Sequence, residues 1–111
     1  IGKTVLVPKH WVGWVGTHDL IRIESNNLDT IGYVYSWLNS EYGQLLLKSL
    51  TYGAVVDHIE AFHIASMEIP LLKNESKQKE INNKVLQANE LRYQAYLKEK
   101  EAVRMMEEVI N

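Results

Sequence analysis

The chain has 111 residues, 46% hydrophobic and 23% charged, with a formal net charge of -2, which suffices for one compact core or a small domain with an extension and excludes two full cores. The ordinary apolar share excludes global disorder, and the charge balance excludes a generic polyanion coat, because non-specific nucleic-acid affinity comes from lysines and arginines neutralising phosphates. A sequence reader with a few local basic contacts stays open.

Cysteine is absent, so disulfides, thiolate metal sites and thiol nucleophiles drop out, and a reducing, cytoplasmic setting is expected. No apolar run approaches the roughly 18 residues of a membrane span, and the opening "IGKTVLVPKH" lacks the basic head and apolar middle of a signal peptide. A first residue of Ile1 rather than methionine leads to the expectation that this is part of a longer chain.

In chain order, "TVLVP" (residues 4–8) reads as a strand closed by Pro8, and "LIRIE" (20–24) alternates as a half-buried strand does. Between them "KHWVGWVGTHD" reads as a turn or bulged hairpin. Residues 31–50 place Ile31, Val34, Tyr35, Leu38, Tyr42, Leu45, Leu46 and Ser49 at helical intervals, with a break and new N-cap at Ser40, so two short helices are predicted. Ala54 to Ile59 returns to β-formers, "EAFHIAS" reads as a helical turn, and "MEIP" (67–70) as a short strand stopped by Pro70. The fold class expected is α+β, with a small domain over residues 1–73.

All glycines, prolines and tryptophans lie before residue 74. From Asn74 to Ile110 the sequence is unbroken helix-former, giving a helix about 55 Å long that projects beyond so small a domain. In heptad register Ile81, Ala88, Ala95, Ala102 and Val109 share one position, with Leu91 and Met105 at a second that Lys84 and Lys98 interrupt. Alanines every seven residues favour a close helix pair, expected antiparallel, including a homodimer. A second stripe, Leu86, Tyr93, Leu97, Val103 and Ile110, gives the helix a further sticky face.

The chemistry-bearing residues are few. Asp57, His58, Glu60 and His63 form the one tight cluster of acid/base or ligand types. Glu60 and His63 have the Glu-x-x-His spacing of carboxylate di-iron helices, but the second such motif and the further helical carboxylates are missing, so a structural role outweighs metal or catalysis. Hydrolase, nucleotide-loop and zinc-protease signatures are absent. Trp11, Trp14 and Trp37 could stack on bases or build the core; Trp37 points inward by its spacing, whereas Trp11 shares a turn with Lys9 and His10. Lys48, Ser49, Thr51, Tyr52 and His58, around Gly53, read either as a capped helix C-terminus or as a polar edge that hydrogen-bonds bases and phosphates.

Taken together, "GTHDLIRI", "GYVYSWLNSEYGQLLLKSLTYGAVVDHI", "MEIPLL" and "QKEINNKVLQANELRYQAYLKEKEAVRMMEEVI" resemble the second half of a target-recognition domain and the following helix in specificity subunits of type I restriction-modification systems. Tyr33, Leu38, Ser40, Gly43, Gly53 and Ile59 resemble the family's central pattern, Ile69 and Pro70 its closing strand, and Gln78 and Ile81 the opening of its helix. One prolyl residue, Pro70, stands where the family commonly has a pair.

The resemblance implies a non-catalytic, prokaryotic protein of the cytoplasm, with no cofactor and no metal, that reads one half of a split double-stranded DNA target. It would direct DNA methyltransferase (modification) subunits and a restriction subunit to that target. On this reading the DNA contacts are Lys48, Ser49, Thr51, Tyr52 and His58, then Lys9, His10 and Trp11. Helix pairing falls to Ile81, Ala88, Leu91, Ala95, Ala102, Met105 and Val109 within 74–111. The rivals are an oligomerisation module that does not bind DNA, its small domain capping the helix, and a small hydrolase built on Asp57, His58 and His63.

Overall fold

The computed structural model describes residues 3–16, 20–50 and 60–111. Along them run α1 (Ile31–Asn39), α2 (Glu41–Ser49), α3 (Ala61–Ala65) and α4 (Glu75–Ile110), preceded by a 3-10 turn at Lys9–Trp11.

α4 forms because nothing in 74–111 interrupts it, and Asn74 starts it: its Oδ1 accepts the Lys77 amide at 3.0 Å, with Glu75 in the positive first turn. α1 and α2 meet at Ser40. Its hydroxyl donates to the Trp37 carbonyl at 2.6 Å and accepts the Gly43 amide at 3.2 Å, so one side chain closes the first helix and caps the second. Gln44 Nε2 adds a bond to the Leu38 carbonyl at 2.7 Å. The predicted cap and the two short helices are present. The break turns the apolar face, however: Leu47 is buried, while Tyr42 and Leu45 on the extrapolated stripe are exposed.

α1 packs on the N-terminal half of α4. Tyr33, Leu38 and Leu47 are the buried apolar residues among those described, joined by one buried polar side chain, Asn82 of α4. Asn82 Oδ1 accepts the amides of Gly32 at 2.7 Å and Tyr33 at 3.2 Å, and its Nδ2 donates to the Leu28 carbonyl at 2.7 Å. Thr30, the N-cap residue of α1, makes no side-chain cap bond; Asn82 takes that role from another helix. The phenol of Tyr33 donates to the Pro70 carbonyl, and Gln78 Oε1 accepts the Leu72 amide at 3.2 Å, which fixes the approach to α4.

The α+β expectation is overturned: the described residues are helical or irregular and contain no strand. The alternation in "TVLVP" is real, with Val5 and Val7 exposed and Leu6 and Pro8 turned inward, but alternation is a property of any extended chain, whereas a strand needs a neighbour for its ladder. Here the neighbours are side chains. Asn89 Nδ2 donates to the Val7 carbonyl at 3.1 Å, and Asn39 Nδ2 lies 3.5 Å from the Thr4 carbonyl. In "LIRIE" both alternating sets are exposed, and "MEIP" is held by the Met67 amide on the Ile64 carbonyl and by the Pro70 carbonyl on the Tyr33 phenol. The predicted strand at Ala54 to Ile59 lies outside the described residues.

The radius of gyration is 17.8 Å, against about 13 Å for a compact chain of this length. The excess is α4, exposed around its whole circumference over 97–110. Among the described residues no helix is long and apolar enough to cross a membrane.

Candidate functional site

Two surfaces and one helix face gather the residues singled out from the sequence. The first surface is the end of α2. Lys48 and Ser49 are exposed in its last turn, where a lysine complements the negative end of the helix. The Ser49 hydroxyl donates to the Leu46 carbonyl at 2.6 Å, so its hydrogen is engaged by backbone. Thr51, Tyr52, Asp57 and His58, with Gly53, lie outside the described residues.

Glu60 and His63 act on backbone. Glu60 is the N-cap of α3, its side chain accepting from the His63 amide, while His63 Nδ1 accepts the Glu60 amide at 2.9 Å, a reciprocal capping box. The Glu-x-x-His spacing is thus used to start a helix, which needs one residue three positions on, as a metal motif also does. No group of three or more ligand-type side chains is poised for a metal among the described residues.

The second surface is built where the N-terminal segment lies on α4. The Lys9 ammonium is 2.9 Å from the Glu90 carboxylate and 5.4 Å from the Tyr93 ring centre. Gln94 Nε2 also donates to Glu90 at 3.0 Å. That bond first, and the Lys9 ammonium second, hold the Glu90 carboxyl below the usual carboxylate range. His10 stacks on Tyr96 with centroids 4.2 Å apart and planes 10° apart, and meets Trp11 and Trp14 edge-on. Its Nδ1 is buried with no hydrogen-bond partner among the described residues. Trp11 and Trp14 stack on each other at 5.1 Å and 12°. Of Lys9, His10 and Trp11, expected near DNA, the first two therefore fasten the N-terminal segment to α4, and Trp11 packs on His10 and Trp14.

Trp14, Tyr93 and Tyr96 complete this cluster, and neither Tyr96 nor the pairing of the rings was read from the sequence. The available signal was spacing: Trp11 and Trp14 are three apart, as are Tyr93 and Tyr96, so each pair shares one side of a helical turn. What no spacing shows is that the two pairs meet.

The helix face divides in two. Ile81 and Ala88 are half-buried and, with Tyr35, Ser36, Val85 and the cations Lys84 and Arg92, line a shallow groove of about 260 Å³ between α1 and α4. Farther along, Leu91, Ala95, Ala102, Met105 and Val109 are exposed. The alanine row thus begins against α1 and continues onto open helix. Of the second stripe, Leu86 and Tyr93 are half-buried, while Leu97, Val103 and Ile110 are exposed.

Comparison of the chain with protein-family models, with curated proteins and with solved structures yields no match.

Proposed function

We propose that this chain is a non-catalytic DNA-recognition and assembly piece of a type I restriction-modification specificity subunit. The observation that carries the reading is the division of α4. It is held to the rest of the chain through Gln78, Asn82, Asn89 and the rings of Tyr93 and Tyr96, and from residue 97 on it stands clear, with Ala102, Met105 and Val109 exposed in heptad register. A small domain at one end of a rigid, sticky rod suits a protein that must hold a reading surface at a fixed place in a larger complex.

The residues that resemble the family's pattern support it further, because they do joint work here. Tyr33 bonds the Pro70 carbonyl, Ser40 links α1 to α2, and Gln78 ties the closing segment to the helix. The support comes from these helical and closing segments, since the strands that the family reading implied are absent among the described residues. DNA would meet the end of α2 at Lys48 and Ser49, with Thr51, Tyr52 and His58, which follow in the chain outside the described residues, as the further contacts that the resemblance implies, and modification and restriction subunits would meet the outer length of α4.

Salt-dependent binding to duplex DNA tests this. The affinity should fall linearly in log–log form with salt, and Lys48→Ala should reduce the slope by about 1. The assembly-module reading draws on a specific observation, the engagement of Lys9 and His10 by α4. Self-association without any salt-dependent duplex binding would establish it in place of the first.

A further inference from the structure

Packing between the N-terminal segment and α4 accounts for every ring of the aromatic cluster but one. Tyr93, Tyr96, His10 and Trp11 are half-buried against each other, and Trp14 is 66% exposed. Trp14 is nonetheless held in place. Its amide donates to the Trp11 carbonyl at 2.9 Å, and Gly13, at φ +88°, makes the turn that lays one indole over the other. The result is a two-ring stack with one broad face open.

Cations stand at the margin of this cluster: Lys9 over Tyr93 and, one turn along α4, Lys100 over Tyr96 at 5.5 Å. The Glu90 carboxylate that also faces the cluster is matched by Lys9. A flat π-face beside separated ammonium groups is the combination that unpaired nucleic acid recognises, since any base can stack and the backbone phosphates seek the lysines. A proline-rich peptide fits less well, because such ligands lie in grooves between aromatic rings, and Trp11 and Trp14 close face to face.

We infer that the outer face of Trp14 is a stacking seat for an unstacked nucleobase, with Lys100 contacting a phosphate of the same strand and Lys9 holding the Glu90 carboxylate away from it. The inference rests on the DNA reading above and narrows it to a base whose face is free, in a single strand or at a distorted base pair.

The test uses the whole 111-residue chain and three labelled probes: one single-stranded oligonucleotide, its matched duplex, and that duplex with one mismatch. The single strand should bind and quench indole emission, and the mismatched duplex should bind more tightly than the matched one. Trp14→Ala should weaken single-strand binding roughly tenfold, and Trp14→Phe should restore most of it. Matched-duplex binding and the circular dichroism spectrum should stay unchanged in both variants.

Single-strand affinity indifferent to Trp14→Ala, with duplex binding intact, overturns the seat and leaves the DNA reading standing. No binding to any of the three probes overturns both. An indole emission shift that follows protein concentration alone makes the face a protein contact and also overturns the seat.

Discussion

Asn82 Oδ1 accepts the Gly32 amide hydrogen at 2.7 Å across 50 residues of sequence, so the first turn of α1 is capped by the side chain of a different helix. The Asn82 side chain also accepts the Tyr33 amide and donates to the Leu28 carbonyl, which makes it the polar centre of the α1–α4 contact. Asn82→Ala leaves two helix-start amides and a carbonyl without their partner and should cost about 2–4 kcal/mol, read as a lower urea midpoint. Asn82→Asp keeps the acceptor but sets a carboxylate against the Leu28 carbonyl, and should fall between the two.

Gly32 and Gly13 should both resist substitution, for different reasons. A Cβ at Gly32 would stand 2.6 Å from the Asn82 carbonyl oxygen and 2.8 Å from its Oδ1, so Gly32→Ala must push α1 off α4, at a cost of about 1–3 kcal/mol. Around Gly13 there is open space, but its φ is +88°, so Gly13→Ala should cost about 1 kcal/mol through backbone strain. Combining Gly32→Ala with Asn82→Ala should cost less than the sum, because both act on one contact; the Gly13 effect should add to either.

The alanine row predicts a split between assembly and stability. Ala102→Arg, on open helix, should abolish self-association in light scattering and leave the unfolding free energy from urea titration within about 0.5 kcal/mol of the parent. Ala88→Arg should disturb both, because Ala88 lines the groove against Tyr35 and Ser36. Unchanged assembly in Ala95→Arg and Ala102→Arg would move the partner surface off this row.

Acid should loosen the fastening of the N-terminal segment. With its folded-state pKa depressed by Gln94 and Lys9, Glu90 binds fewer protons folded than unfolded, so its contribution is present above the ordinary carboxylate pKa of about 4.3 and is lost as pH falls through the lower folded value. Emission from Trp11 and Trp14 should therefore report loosening on acidification, and Glu90→Gln should flatten that dependence. The pair is surface-exposed, so salt should weaken it as well.

What was legible in the sequence was what neighbouring residues decide. Asn74 followed by an uninterrupted run of helix-formers, and Ser40 between two apolar stripes, mark their helix starts through bonds no more than three residues away. The strands were misread at "TVLVP" because alternation records that a chain is extended and says nothing of what lies beside it. Here Asn89 and Asn39 side chains stand where a second strand was expected. Asn82 was invisible for the same reason. Beside Asn83 in a polar helix nothing in the apolar pattern singles Asn82 out, and its value appears only when Gly32 lets α1 come close enough to use it.

The late position of Asn82 also sets an order of events during synthesis. At about 5–20 residues per second, the cap on α1 is translated about 3–10 s after the helix it completes. Over that interval Tyr33, Leu38 and Leu47 have no α4 to close upon. The nascent chain therefore carries an open apolar surface until the second turn of α4 has left the ribosome, and the small domain becomes whole only as its own rod emerges.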